Sequence, residues 1–338
     1  MLRTTVVGSW PIDAPFNEAM TAYHAGTYPA AHAETLLTEV ARTAIAQQRA
    51  CGLDEITGGE TSADTFILQF PKYLTGIAPT ADQVAWGGRG TYAVTGPLHA
   101  PQGLGIAAAY RREKAIDPAI GKVTIPGPSE ITMMLETESD AQRPALWEQA
   151  IALIRTEIQE CVALGATDIQ LDLPHIAMGL VDNHPLWTTS QAVAIAQAIF
   201  AGFSNIRRSV HLCYGDFQAQ TWTENRAFQP LLPTIQGLAG CVDRVVLEFS
   251  LPEQWADREL LAEIPPGMEI AAGIVDVKSP QIETVTKLET KIEELLNYVP
   301  AARLLIAPSC GFGRRDTDLA IRKSQAMTRA VHKMNAGG

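Results

Sequence analysis

The run "SVHLCYGD" at 209–216 is a short β-branched, apolar stretch that closes on a glycine and an acid. Successive side chains on a strand face opposite sides, so His211 and Cys213 share one face and Leu212 takes the other. Runs of the same kind recur along the chain: "TTVVGSW" (4–10), "DEITGGE" (54–60), "KVTIPGP" (122–128), "DIQLDLP" (168–174), "RVVLEFS" (244–250), "EIAAGIVDVK" (269–278) and "RLLIAPSCG" (303–311). With 209–216 they make eight strands. Amphipathic helices separate most of them, such as "ALWEQAIALIRTEIQECVALG" and "DTDLAIRKSQAMTRAVHKM", with apolar residues at helical spacing and glycine or proline near several ends. Eight strands alternating with helices predict an α/β chain folded as a (β/α)8 TIM barrel of short parallel strands buried on both sides.

Length agrees with one unit. At 338 residues the chain is within the range of a single elaborated barrel, and residues 1–338 are expected to form one catalytic domain. One gap is wide: about sixty residues separate the second and third strands, and within this insertion (about 61–121) "VAWGGRGTYAVTGPL" (84–98) sets alternating residues around "GGRG" as a β-hairpin does. A flap over the barrel mouth is expected there.

Composition narrows the chemistry. The chain is 46% hydrophobic and 19% charged, which supplies a core and lacks a disorder signature. A formal charge of −11 argues against a nucleic-acid partner, whose recognition rests on lysine and arginine. Neither a secretory leader nor the ~18 apolar residues of a membrane helix can be read in the sequence, so a cytoplasmic protein without a membrane partner is expected. Five cysteines, an odd number, favour thiol or metal chemistry over a disulfide framework.

Active sites of such barrels lie where strands end and βα loops begin. His211 and Cys213 stand at such an end, as do Glu248 in "VVLEF", Lys278 in "DVKSP", Cys310 in "APSCG", Asp172 in "LDLPH", Glu60 in "GGETSAD" and the "GSWP" turn. Singly, a strand cysteine or histidine is a core residue; the signal is their convergence on one rim. One imidazole, two thiolates and a carboxylate (His211, Cys213, Cys310, Glu248) suit tetrahedral zinc rather than the oxygen shells of magnesium or calcium. Such a site has a net charge too negative to activate water well, yet it can hold an incoming thiol as thiolate. Glu248, the weakest ligand for a soft metal, is expected to yield its place to the substrate sulfur. Cys51, Cys161 and Cys241 read as packing residues, and "GFGRR" (311–315) lacks the spacing of a phosphate loop. The basic cluster in "AAAYRREK" (107–114) reads as a solvated helix face or as a cradle for an anionic substrate group.

On these motifs, in this order, the sequence resembles the catalytic domain of cobalamin-independent methionine synthase from "TTVVGSWP" almost to the C-terminus. The resemblance implies zinc on His211, Cys213, Glu248 and Cys310, and methyl transfer to the thiol of homocysteine. It also implies that the amino-acid part of homocysteine is held by Val7, Gly8 and Ser9, Glu60 and Asp172. Three departures stand out: the chain corresponds to a short form starting at the catalytic barrel, "D-E-P" reads "DLP", and the histidine of "D-x-H-S-P" reads Lys278. That histidine protonates the folate leaving group in the family, so Lys278 either replaces it or marks a different donor. A 5-methyltetrahydrofolate, a methylcorrinoid or a corrinoid protein are the donors to weigh. The alternative is a coenzyme M-type thiol alkyltransferase on the same zinc barrel, with Arg111 and Arg112 receiving the sulfonate.

Overall fold

A computed structural model describes residues 1–63, 69–85, 89–216 and 219–337. Its strands are β1 (Arg3–Thr4), β2 (Thr75–Ala85), β3 (Arg89–His99), β4 (Lys122–Pro126), β5 (Leu135–Glu136), β6 (Asp168–Asp172), β7 (Arg207–Leu212), β8 (Arg244–Glu248), β9 (Glu269–Val275) and β10 (Leu304–Pro308). Among the described residues, seven of them form a parallel curled sheet in the order β1-β10-β9-β8-β7-β6-β4. Helices follow the expected segments closely, including Ala30–Ala50, Arg143–Ala163 and Thr317–Ala336. None of the described helices is long and apolar enough to cross a membrane.

The closed eight-strand barrel predicted from the sequence needs correction at its second strand. Segment 54–60 runs beside β1 through one parallel bridge, Thr5 to Glu55, with Glu55 N donating to Thr4 O at 3.1 Å. No ladder among the described residues joins it to β4. Its glycines explain this: Gly59 takes a positive φ of 83°, and a Cβ on Gly58 would lie 1.9 Å from the Glu113 carboxyl carbon. Glu113 occupies the space a paired strand would fill, and the wall there is joined by side chains. Thr124 Oγ1 donates to Glu60 Oε1 at 2.7 Å, and Lys122 Nζ donates to Thr5 Oγ1 at 3.1 Å.

Period-2 alternation sorts the strands into an outer and an inner set. In β8, Val245 and Leu247 belong to the main core between sheet and helices, whereas Val246 packs inside the barrel with Val7, Ala271, Leu305 and Ala307. Arg244 lies below that small apolar layer and Glu248 above it. β6 repeats the arrangement with Asp168 below and Asp172 above, and β7 continues it from Ser209 to His211. The barrel therefore carries a polar layer at each end of a thin apolar waist.

The expected hairpin is present. β2 and β3 pair antiparallel and β5 adds to β3 in parallel, giving a separate three-stranded sheet; the turn at 86–88, with Gly87 and Gly88 of "GGRG", lies outside the described residues, as does Phe217. Tyr92 of β3 packs with Met133, Met134 and Trp222.

Candidate active site

β7 and β10 lie two strands apart from each other in the sheet, separated by β8 and β9, and curl brings their upper ends together. His211, Cys213 and Cys310 offer ligand atoms all within 4.8 Å of one another. His211 Nδ1 stands 2.9 Å from Val246 O, which orients the ring and leaves Nε2 for the thiols. Nε2 is buried without a hydrogen-bond partner. The neighbouring Cys213 thiol, with His211 and Lys278 close by, holds Cys310 well below the usual thiol range against the effect of burial, and Cys213 is correspondingly raised. An orphaned imidazole nitrogen facing two sulfurs, one of them held below the usual thiol range, fits a soft divalent cation such as zinc.

Glu248 sits beside this trio and is engaged elsewhere. Lys278 Nζ donates to its Oε1 at 2.8 Å and Tyr214 N to its Oε2 at 3.1 Å. Burial alone would favour the neutral amine, but Glu248 and the cysteine sulfurs outweigh it and hold Lys278 above the ordinary lysine range. The structure thus gathers three of the four residues predicted as ligands and pairs the fourth with Lys278.

The remaining predicted residues reach the same cavity. Val7, Ser9, Glu60, Asp172, His211, Cys213 and Cys310 line a space of about 100 Å³, with Asp216, Trp222 and Arg314 at its edge. Gly8 is a glycine because Glu60 Oε1 lies 2.2 Å from where its Cβ would be. The Val7–Ser9 turn is tied down: Gln170 Nε2 donates to Val7 O at 2.9 Å, Thr57 Oγ1 to Gly8 O at 2.6 Å, and Phe312 N to Ser9 O at 2.8 Å. Glu60 is held at a φ of 54°, rare for a residue with a side chain. Desolvation raises Glu60 and Asp172 to about 7 each, partly countered by Thr124 for Glu60 and by His211 and Gln170 for Asp172.

Sequence reasoning missed one ion pair and one histidine–carboxylate contact at this rim. Arg315 Nη2 donates to Asp216 Oδ1 at 2.6 Å and its Nε to Val277 O at 2.5 Å, lashing together the loops that follow β7, β9 and β10. His175 Nδ1 stands 2.9 Å from Glu130 Oε1. Arg111 and Arg112 are not at the cavity; Arg112, in helix Ile106–Ile116, grips the exposed Glu34 with Nε and Nη2, each at 2.8 Å. All five cysteines are free.

Residues 2–333 match the family model described as "Cobalamin-independent synthase, Catalytic domain". The chain belongs to this family. Curated relatives include the 5-methyltetrahydropteroyltriglutamate–homocysteine methyltransferases of Herpetosiphon aurantiacus, 27% identical over 99% of this chain and 43% of the relative, and of Neisseria meningitidis, 26% identical over the same shares. The chain spans less than half the length of these relatives. Among solved structures, a B12-independent methionine synthase from Shewanella sp. W3-18-1 in complex with selenomethionine superposes with a TM-score of 0.81 at 19% identity, covering 100% of this chain and 98% of the other. A putative vitamin-B12 independent methionine synthase from Listeria monocytogenes gives 0.70 at 19% identity, with 99% of both chains covered. These two share the family's fold.

Proposed function

We propose that this chain acts as one catalytic unit, a cytoplasmic zinc-dependent S-methyltransferase that converts homocysteine to methionine. The observation that carries this reading is the meeting, in one small cavity, of the His211–Cys213–Cys310 trio with Glu60, Asp172 and the Val7–Ser9 turn. Zinc held by the trio would keep a bound thiol as its thiolate at neutral pH. Glu60 and Asp172, once ionised, bind the ammonium of the substrate and so fix which way its sulfur points. Glu248, held by Lys278 Nζ and Tyr214 N, would be the fourth residue able to hold the metal and would give way to the substrate sulfur. The donor is a methyl-folate or a methylcorrinoid; the Herpetosiphon and Neisseria relatives carry a 5-methyltetrahydropteroyltriglutamate donor in their names.

A second reading, a coenzyme M-type thiol alkyltransferase, draws on Arg314 at the cavity edge as a sulfonate partner. It leaves Glu60 and Asp172 without a cation to meet, at a desolvation cost of about 1–3 kcal/mol per unpaired group. Metal analysis with thermal-shift titration decides between them: about one zinc per chain, and stabilisation by homocysteine rather than coenzyme M, are expected. Full methionine-forming activity in zinc-free protein would end the reading.

A further inference from the structure

Methyl transfer from the N5 of a reduced pterin leaves a requirement unassigned, and the inference that follows rests on the function proposed above. The homocysteine sulfur forms a bond to the methyl carbon, the carbon–nitrogen bond breaks, and its electron pair stays on N5, which must take up a proton. Lys278 is closed off from that task by its 2.8 Å bond to Glu248, with 7% of its side chain exposed. Another imidazole stands at the rim.

His175 lies three residues beyond Asp172 and directly after Pro174, which lines the cavity. Its Nδ1 is 2.9 Å from Oε1 of Glu130, a carboxylate with none of its side chain exposed. Glu130 is itself fixed: Ser129 Oγ donates to Oε2 at 2.7 Å, and the backbone N of His175 donates to Oε1 at 3.2 Å. Nε2 makes no hydrogen bond to the described residues, and 18% of the imidazole side chain reaches solvent. The imidazole thus has one nitrogen buried beside a carboxylate, close to it but without an aligned hydrogen bond, on a backbone that Glu130 does hold, and it keeps part of its side chain in solvent. The ring lies 5.5 Å from that of Trp222, which lines the cavity. Trp222 is drawn over the ligand loop by its N donating to Tyr214 O at 2.8 Å, and Gly215 makes room for it, since a Cβ there would lie 2.6 Å from the indole. Indole and imidazole thus form one side of the mouth, backed by Met133, Met134 and Tyr92.

We propose that His175, oriented by Glu130, is the acid that protonates the departing nitrogen of a flat N-methyl heterocyclic donor lying against Trp222. The imidazolium gives its Nε2 proton to N5 and is left neutral, recharging from solvent between turnovers. Among the described residues, Glu130, from helix Pro128–Ile131, is the charged side chain paired with it, and Trp222, whose ring lies beside it, is neutral.

The test is single-turnover methionine formation by the zinc-loaded full chain from methyl-folate and, separately, from methylcobalamin, across pH, in wild type, His175→Gln and Glu130→Gln. His175→Gln is expected to slow transfer from methyl-folate by about 100-fold, and at least tenfold more than transfer from methylcobalamin, whose leaving group needs no proton. Zinc content and homocysteine affinity, measured on the same samples, are expected to match wild type. Glu130→Gln leaves the imidazole in place and is expected to slow transfer from methyl-folate by less than His175→Gln does. Equal slowing with both donors, or wild-type rates from methyl-folate in His175→Gln, would overturn the proposal and leave the homocysteine reading standing. Wild-type transfer from methylcobalamin alone would do the same, whereas no methionine from either donor would overturn both.

Discussion

The two ends of the barrel are built from similar ionisable residues to opposite effect. At the lower end, fully buried Arg244 donates through Nη1 to Glu55 Oε2 at 2.6 Å and Asp168 Oδ2 at 2.9 Å, and through Nη2 to Glu269 Oε2 at 2.7 Å. Arg3 and Arg207 supply further cations to the same three carboxylates. Every carboxylate there has an arginine. At the upper end Glu248 and Asp216 have cationic partners, Lys278 and Arg315, while Glu60 and Asp172 rest on neutral donors, Thr124 and Gln170, and an imidazole nitrogen faces two sulfurs. Charges that satisfy one another hold a structure, and charges left waiting are available to a ligand.

That contrast can be broken by mutation. Arg244→Met should cost the most stability, about 3–5 kcal/mol, because it strands buried carboxylates; urea unfolding measures it, and a loss below about 1 kcal/mol would show that the lower layer is not structural. Cys310→Ala should do the reverse, removing most bound zinc and all transfer while leaving a folded barrel, which metal analysis and circular dichroism would establish. Next in size, Glu60→Gln should weaken homocysteine binding by about 1–3 kcal/mol with zinc retained, read by calorimetry.

The same two carboxylates give a pH dependence. Their folded values near 7 exceed those of an unfolded chain, so they favour the fold below the unfolded pKa and this contribution is lost as pH rises toward 7. Ammonium binding needs them ionised, so homocysteine affinity should rise over the same window, and Glu60→Gln should flatten that rise. An affinity that falls from pH 6 to 8 would contradict the assignment. The smallest effect expected is that of Arg112→Ala, below about 1 kcal/mol in stability because Glu34 is exposed, with no change in thiol preference.

What could be read from the sequence was whatever is written locally. Apolar runs of strand length located β4 and β6 to β10, and rare residue types at their ends picked out His211, Cys213 and Cys310, because alternation alone decides that His211 and Cys213 face together. Pairs closed by the fold were not legible. Glu130 and His175 are 45 residues apart, and Asp216 and Arg315 are 99 apart, with no spacing to announce either contact. The ion pair of Arg112 was hidden for the same reason, since its partner Glu34 belongs to another helix. Segment 54–60 misled in a different way: its β-like start hides a glycine pair whose missing side chains admit Glu113.

The join between that segment and β4 has a mechanical meaning. A continuous ring of backbone hydrogen bonds resists any change of girth, whereas here β4 meets segment 54–60 through Thr124 and Glu60, and the residues around β1 through the Lys122 side chain, so the wall can widen there at the expense of two or three bonds. Amides facing the join should exchange with deuterium sooner than those shared between β6 and β7. Glu60 is part of the fastening, so a ligand that takes hold of its carboxylate would also tighten or loosen the barrel's circumference.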